Sequence, residues 1–146
     1  MSDPDEVEIR RRLRGSVAEV FSWWTDPAKL AEWMSPVGIA EAEVDLRVGG
    51  AFRIVMKGGD VVIDHTGEYL EVEPPRRLVF TWKSPFTGPE GSVVTIDLQP
   101  DGPNATFLRL VHSRLPREAV ASHRDGWGTM LDRMATGLAQ INAEGG

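Results

Sequence analysis

Residues 67–82 read G-E-Y-L-E-V-E-P-P-R-R-L-V-F-T-W. Apolar and polar side chains alternate on both sides of a Pro-Pro pair, the pattern of two antiparallel strands joined by a turn. Upstream, V-D-L-R-V-G-G-A-F-R-I-V at 44–55 repeats the period of two around Gly49-Gly50. The same period continues to residue 112 and predicts strands at 40–47, 51–57, 61–72, 77–83, 92–99 and 105–112. Their connections carry suitable turn chemistry: Gly58-Gly59-Asp60, Pro74-Pro75, Pro85 through Gly91, and Asp101-Gly102-Pro103-Asn104. Between Trp33 and Trp82 the chain is rich in bulk and poor in reactive groups. It reads as the wall of a container more than as the seat of a reaction.

Outside this block the period is different. Residues 7–13 form a first strand with Val7, Ile9, Arg11 and Leu13 on one face and Glu8, Arg10 and Arg12 on the other. Ser16 suits an N-cap, and Glu19 completes a capping-box pattern. The helix that follows runs to Thr25 with Val17, Val20, Phe21 and Trp24 on its apolar side. Asp26-Pro27 breaks it and starts a second short helix bearing Leu30, Trp33 and Met34, which Ser35-Pro36 ends. Pro116 opens the last element, a helix of about 25 residues with Val120, His123, Trp127, Met130, Met134, Leu138 and Ile141 at steps of three and four. Gly126, Gly128 and Gly137 lie inside it, each disfavoured by about 1 kcal/mol relative to alanine. The two that flank Trp127 imply close approach or local give. The order is one strand, two short helices, six strands and a long helix. This predicts an α+β domain over residues 7–142, with tails at 1–6 and 143–146.

Composition narrows the function classes. The chain has 146 residues, 41% hydrophobic and 26% charged, as in ordinary globular domains. It has no cysteine, hence no disulfide, thiol nucleophile or thiolate metal site. A formal net charge of -6 speaks against a nucleic-acid partner. No apolar run approaches the roughly 18 residues of a membrane span, and the acidic start Met-Ser-Asp-Pro-Asp-Glu does not resemble a signal peptide. A cytoplasmic protein, monomeric or weakly dimeric, is the expectation.

Several stretches in order resemble a known family: V-F-S-W-W-T-D-P at 20–27, W-M-S-P at 33–36, D-L-R-V-G-G-A-F-R at 45–53, residues 67–82, and H-R-D-G-W-G-T-M-L-D-R-M at 123–134. Arg11, followed four residues later by Gly15, belongs to the same pattern. The chain resembles the START-like, polyketide-cyclase-like helix-grip superfamily (SRPBCC), and more closely the bacterial homologues of the C-terminal domain of heat-shock-protein-ninety ATPase activators. The resemblance implies a helix-grip fold: a curved sheet of six or seven antiparallel strands around the long C-terminal helix, with a cavity of some size between them. It implies lipid carriers, hormone binders, cyclases or dehydrases as functional relatives; a stress-response or self-protection role by ligand sequestration is compatible with ligand binding. The eukaryotic activators add an N-terminal domain that these residues do not contain, which leaves a chaperone partner as the weakest implication.

The candidate ligand-binding residues follow from parity and stripe. Phe52, Ile54 and Met56 share one strand face, as do Leu78, Phe80 and Trp82, with Trp127, Met130 and Met134 opposite them on the long helix. Such residues form either a packed core or the lining of an apolar pocket. Arg11, in register with apolar neighbours, pairs internally with an Asp or Glu of a neighbouring strand, is turned out by a bulge, or anchors a carboxylate or phenolate at a pocket end. Trp33 and His112 are further candidates to orient a polar end. His65, His112 and His123 are the imidazoles available as proton donors, or as structural hydrogen-bonded groups. They lack metal-ligand spacing, Gly49-Gly50 is a turn without a following helix, and no nucleophile elbow occurs. No catalytic residue, metal or cofactor is assigned. Pro85-Phe86-Thr87-Gly88-Pro89 is an apolar-tipped loop, either a lid or partner contact or an ordinary crossover. The expected function is binding of a small hydrophobic or aromatic ligand. The alternatives are a cyclase- or dehydrase-type enzyme using a pocket histidine, and a chaperone-ATPase regulator.

Overall fold

The structure is a computed structural model describing residues 5–35, 39–87 and 90–145, with backbone alone for 143–145. Strand β1 (Val7–Arg14) leads into α1 (Val17–Thr25) and α2 (Pro27–Trp33). Then come β2 (Ile39–Val44), β3 (Ala51–Gly58), β4 (Val61–Glu73), β5 (Arg77–Trp82), β6 (Ser92–Pro100) and β7 (Ala105–Ser113). A single 3-10 turn (Arg117–Ala119) precedes α3 (Val120–Gly145). All strands join one antiparallel sheet in the order β1-β7-β6-β5-β4-β3-β2. It curls around α3, and α1 and α2 follow β1: the helix-grip α+β fold.

Alternation places the core. Phe52, Ile54 and Met56 on β3, Leu78, Phe80 and Trp82 on β5, and Val94, Ile96 and Leu98 on β6 are buried together with Trp127, Met130 and Met134 of α3. The polar neighbours between them face water. Long β4 serves both halves of the sheet, pairing with β3 through its first part and with β5 through its last. A register shift between Tyr69 and Glu71 separates the two ladders.

The local signals act as their chemistry requires. Ser16 Oγ accepts from the Glu19 N–H at 3.2 Å, and Asp26 accepts from the Ala28 N–H at 2.9 Å, with Pro27 opening α2. The Glu19 carboxylate accepts from Asn142 Nδ2 at 3.3 Å, which ties α1 to the far end of α3. β2 ends at Val44, short of the expected residue 47. The chain there turns instead, the Gly49 N–H donating to the Tyr69 carbonyl and the Gly50 N–H to that of Arg47, each at 2.8 Å. The apolar stripe of α3 also needs correction. Leu131 is fully buried, whereas Ile141 is 46% exposed because Asn142 makes the inward contacts of that turn. The helix continues to Gly145, through residues that the sequence reading placed in a tail. Residues 1–4, the helix-ending Pro36 and the loop residues Gly88-Pro89 lie outside the described residues, as does Gly146.

One glycine of α3 is explained by packing. A Cβ at Gly137 would lie 2.5 Å from the Trp23 ring, so this buried indole sits directly on the helix backbone. Gly137→Ala therefore lowers stability by about 1–3 kcal/mol through overpacking. That outweighs the roughly 1 kcal/mol by which alanine favours a helix. Urea unfolding of the two proteins measures the difference, and an unchanged midpoint would show that Trp23 does not rest there.

Candidate functional site

Most of the space inside the grip is filled. Trp24 packs against Trp33 with ring centroids 4.7 Å apart and against Trp127 at 5.9 Å, while Trp33 donates its indole N–H to the Trp23 carbonyl at 2.8 Å. Under the middle of the sheet, Phe52, Ile54 and Phe80 meet Trp24 and Trp82 around a void of only about 10 Å³. A volume of that size barely admits one water molecule.

Open space remains at the end where α3 begins. The register sets Met56 opposite Ile63 and Ile54 opposite His65, so the inner face at the tip of the β3–β4 hairpin carries Met56, Ile63 and His65. Trp82 closes β5 beside them. Across the gap, α3 presents Ser122, His123, Gly126, Trp127 and Met130. Together with Phe86 these residues line a cavity of about 220 Å³. Among the described residues the wall contains no Lys, Arg, Asp or Glu. A Cβ added at Gly126 would touch nothing within 4 Å, so this glycine borders open volume.

Behind the cavity runs a chain of hydrogen bonds that fixes one imidazole. Trp127 Nε1–H donates to His112 Nδ1 at 2.9 Å, so His112 must carry its proton on Nε2. That proton is donated to Ser92 Oγ at 2.6 Å, and Ser92 Oγ–H donates to the Trp82 carbonyl at 2.7 Å. His112 is fully buried, and burial above all, with the nearby His123 and His65, pushes its pKa down to about 3. It is a neutral structural link.

The other two imidazoles face the cavity. His65 is buried against Trp82 with ring centroids 4.7 Å apart, and burial pushes its pKa down to about 4, only partly offset by the backbone of Ile54 and Ile63. His65 Nδ1 and Trp82 Nε1 are buried without a hydrogen-bond partner. An unmet buried polar group costs about 1–3 kcal/mol. His123 is half-buried, its Nδ1 bonded to the Ala119 carbonyl at 2.8 Å and its ring 5.1 Å from that of His112.

Of the residues singled out from sequence, Met56, Trp82, Trp127 and Met130 line this cavity. Phe52, Ile54 and Phe80 surround the filled middle, Met134 and Trp33 are wholly buried in the core, and His112 stands behind Trp127. Arg11 occupies the inward register position, yet its side chain is 38% exposed. The guanidinium runs out beside Gly128 to Asp132 of α3 at 3.9 Å, so its acidic partner is on the helix and not on a neighbouring strand. It does not line the cavity. Arg10 and Arg12 lie on the other strand face and are solvated there, Arg12 pairing with Asp101 at 2.7 Å. In the wide groove there, of about 1050 Å³, Arg77 pairs with Asp97 and Arg109 with Glu8. Ile63, Ser122 and Gly126 had not been singled out as site residues, and Phe86 only as the apolar tip of its loop. The signal for Gly126 was present in the glycines that flank Trp127.

A sheet gripping a long helix, with a small apolar cavity at one mouth, defines a helix-grip protein. The family model described as "Activator of Hsp90 ATPase homolog 1-like protein" matches residues 14–139, and the chain belongs to that family. Protein NE0264 from Nitrosomonas europaea shares 25% identity with it over 98% of this chain and 99% of that one, at a TM-score of 0.81. CalU16 from Micromonospora echinospora shares 28% over 95% and 79%, at 0.72. DynU16, a protein of the dynemicin biosynthetic locus, shares 27% over 92% of this chain and 47% of that one, at 0.76. No curated protein matches the sequence. Among the described residues no helix is long and apolar enough to cross a membrane, and no cluster of potential metal ligands occurs.

The buried imidazoles make the fold acid-sensitive. Their folded-state pKa values, about 3 for His112 and about 4 for His65, lie below the ordinary 6.5. As pH falls below that value the unfolded chain binds protons first. The stabilisation is therefore complete above about pH 6.5 and is lost progressively toward pH 3–4. At pH 5 each group accounts for a loss of about 2 kcal/mol relative to neutral pH. Urea unfolding at pH 7.5 and pH 5 tests this. His112→Gln, which retains a donor and an acceptor, should lose its own share of the pH dependence; equal stability of the parent protein at both pH values would contradict the assignment.

Proposed function

We propose that the protein binds a small, uncharged, largely aromatic molecule in the cavity between the β3–β4 hairpin and the first turns of α3. The observation that carries this reading is an apolar-walled volume of about 220 Å³ at one end of an otherwise filled interior. Ligand sites combine such walls with a few polar groups. Size narrows the class. The volume exceeds the about 150 Å³ that suffices for benzene but falls short of the roughly 300–1,000 Å³ of drug-sized sites. A substituted single ring or a compact pair of rings fits, and a whole lipid chain does not. The likeness to DynU16, a protein of a biosynthetic locus, suits an organic product or precursor of polyketide-like kind.

A second reading has one observation in its favour: two imidazoles, His65 and His123, reach the same cavity. A cyclase- or dehydrase-type reaction would use one of them as acid or base. Loss of turnover on a bound aromatic substrate in His65→Ala or His123→Ala would favour this reading over binding alone. The family description suggests regulation of a chaperone ATPase, for which the test is retention of the chaperone in a pull-down together with a raised ATPase rate.

Gly126 separates binding from stability. Gly126→Ala should raise stability by about 1 kcal/mol, since its Cβ meets no atom. Gly126→Leu should fill the cavity and abolish binding without lowering the unfolding midpoint. A panel of small aromatics, read by thermal shift and by the methyl resonances of Met56 and Met130, supplies the ligand. At 100 times Kd it should stabilise the parent protein by about 2.7 kcal/mol. Undiminished binding by Gly126→Leu, or a panel that leaves both methyls unmoved, would sink the proposal.

A further inference from the structure

Two polar side chains of the cavity wall, Ser122 and, in its neutral form, His123, are committed so that each offers a ligand an acceptor, and this narrows the ligand class further. His123 Nδ1 lies 2.8 Å from the Ala119 carbonyl, and a carbonyl oxygen can only accept. In the neutral ring the proton is therefore on Nδ1, and Nε2 presents a lone pair. Ser122 Oγ–H is committed in the same way, donating to that carbonyl at 3.0 Å and leaving only oxygen lone pairs for a ligand. The unpartnered Trp82 Nε1 and His65 Nδ1 lie beneath the surface of the wall, out of direct reach. The groups facing His123 are His112 of β7, whose ring is 5.1 Å away, and His65 of β4. Burial keeps both of them neutral, and among the described residues no Lys, Arg, Asp or Glu lines the cavity.

We propose that His123 Nε2 anchors the ligand by accepting a hydrogen bond from a hydroxyl, so that the site selects uncharged hydroxyaromatic molecules over their ethers and over aromatic carboxylates. This rests on the binding function proposed above. A phenol supplies the donor that His123 Nε2 calls for. Its methyl ether places an acceptor against an acceptor. A carboxylate brings a full charge into a wall with no cation to meet it.

The test compares para-ethylphenol, para-ethylanisole and para-ethylbenzoate by NMR titration of the Met56 and Met130 methyls. The phenol should bind about five- to tenfold tighter than the anisole, the range of one net hydrogen bond, and the benzoate weakest of the three. In His123→Phe the phenol and anisole should bind equally, while His123→Gln, with its amide oxygen, should recover part of the preference. The imidazole nitrogens of the parent protein give a reading that needs no variant: the ¹⁵N resonance of His123 Nε2 should move upfield with the phenol and stay still with the anisole. Equal binding of phenol and anisole to the parent protein, or a preference that survives in His123→Phe, overturns the anchor and leaves the binding function standing. If none of the three perturbs either methyl, the binding function falls with it.

Discussion

The hydrogen-bonded chain from Trp127 through His112 and Ser92 to the Trp82 carbonyl holds the helix to its grip. It joins α3 to β7, β6 and β5 through buried groups, and each donor in it meets an acceptor. A fully satisfied buried network specifies one arrangement, because removing any member strands the others at about 1–3 kcal/mol apiece. Once Trp127 is pinned, the helical period decides the rest of the site. His123 stands one turn before it, Gly126 beside it, and Met130 one turn after. The indole itself lies 5.4 Å from that of Trp82, so the two rings that bound the cavity are positioned by the same chain. The link persists only while His112 is neutral, which couples the shape of the site to the acid sensitivity of the fold.

The architecture was legible because it rests on periods. Alternation in 44–55 and 67–82 fixes which side chains face the helix, and the stripe on α3 fixes which side chains face the sheet. What a period cannot give is depth. Phe52, Ile54, Phe80 and Met56 share an inward orientation, yet the first three close on a void of about 10 Å³ and only Met56 borders the open one. The difference arises from Trp24, Leu30 and Met34, which close that void from α1 and α2, with Trp33 packed against Trp24, contacts made across long sequence separations. Arg11 shows the same limit at a single residue. Its Cα obeys the alternation, but its long side chain can run along apolar surface and carry the charge to water. Gly128 on the facing helix leaves room for that path, and Asp132 receives the guanidinium at its end. His112 was legible as inward but not as a link, since its partners Ser92 and Trp127 lie on other elements.

The two glycines at 126 and 137 make the case for function in physical terms. Each weakens the helix by about 1 kcal/mol relative to alanine. At Gly137 the loss is offset, because the tip of the buried Trp23 ring occupies the place a methyl group would take. At Gly126 nothing occupies it. The surrounding Met, Ile, Phe and Trp side chains forgo the dispersion contacts that a larger residue would supply, and two buried polar atoms nearby go unpaired. Packing alone would favour a larger residue there. A helix that keeps its glycine where space is open, beside a largely apolar wall, is the arrangement that the proposed guest would complete.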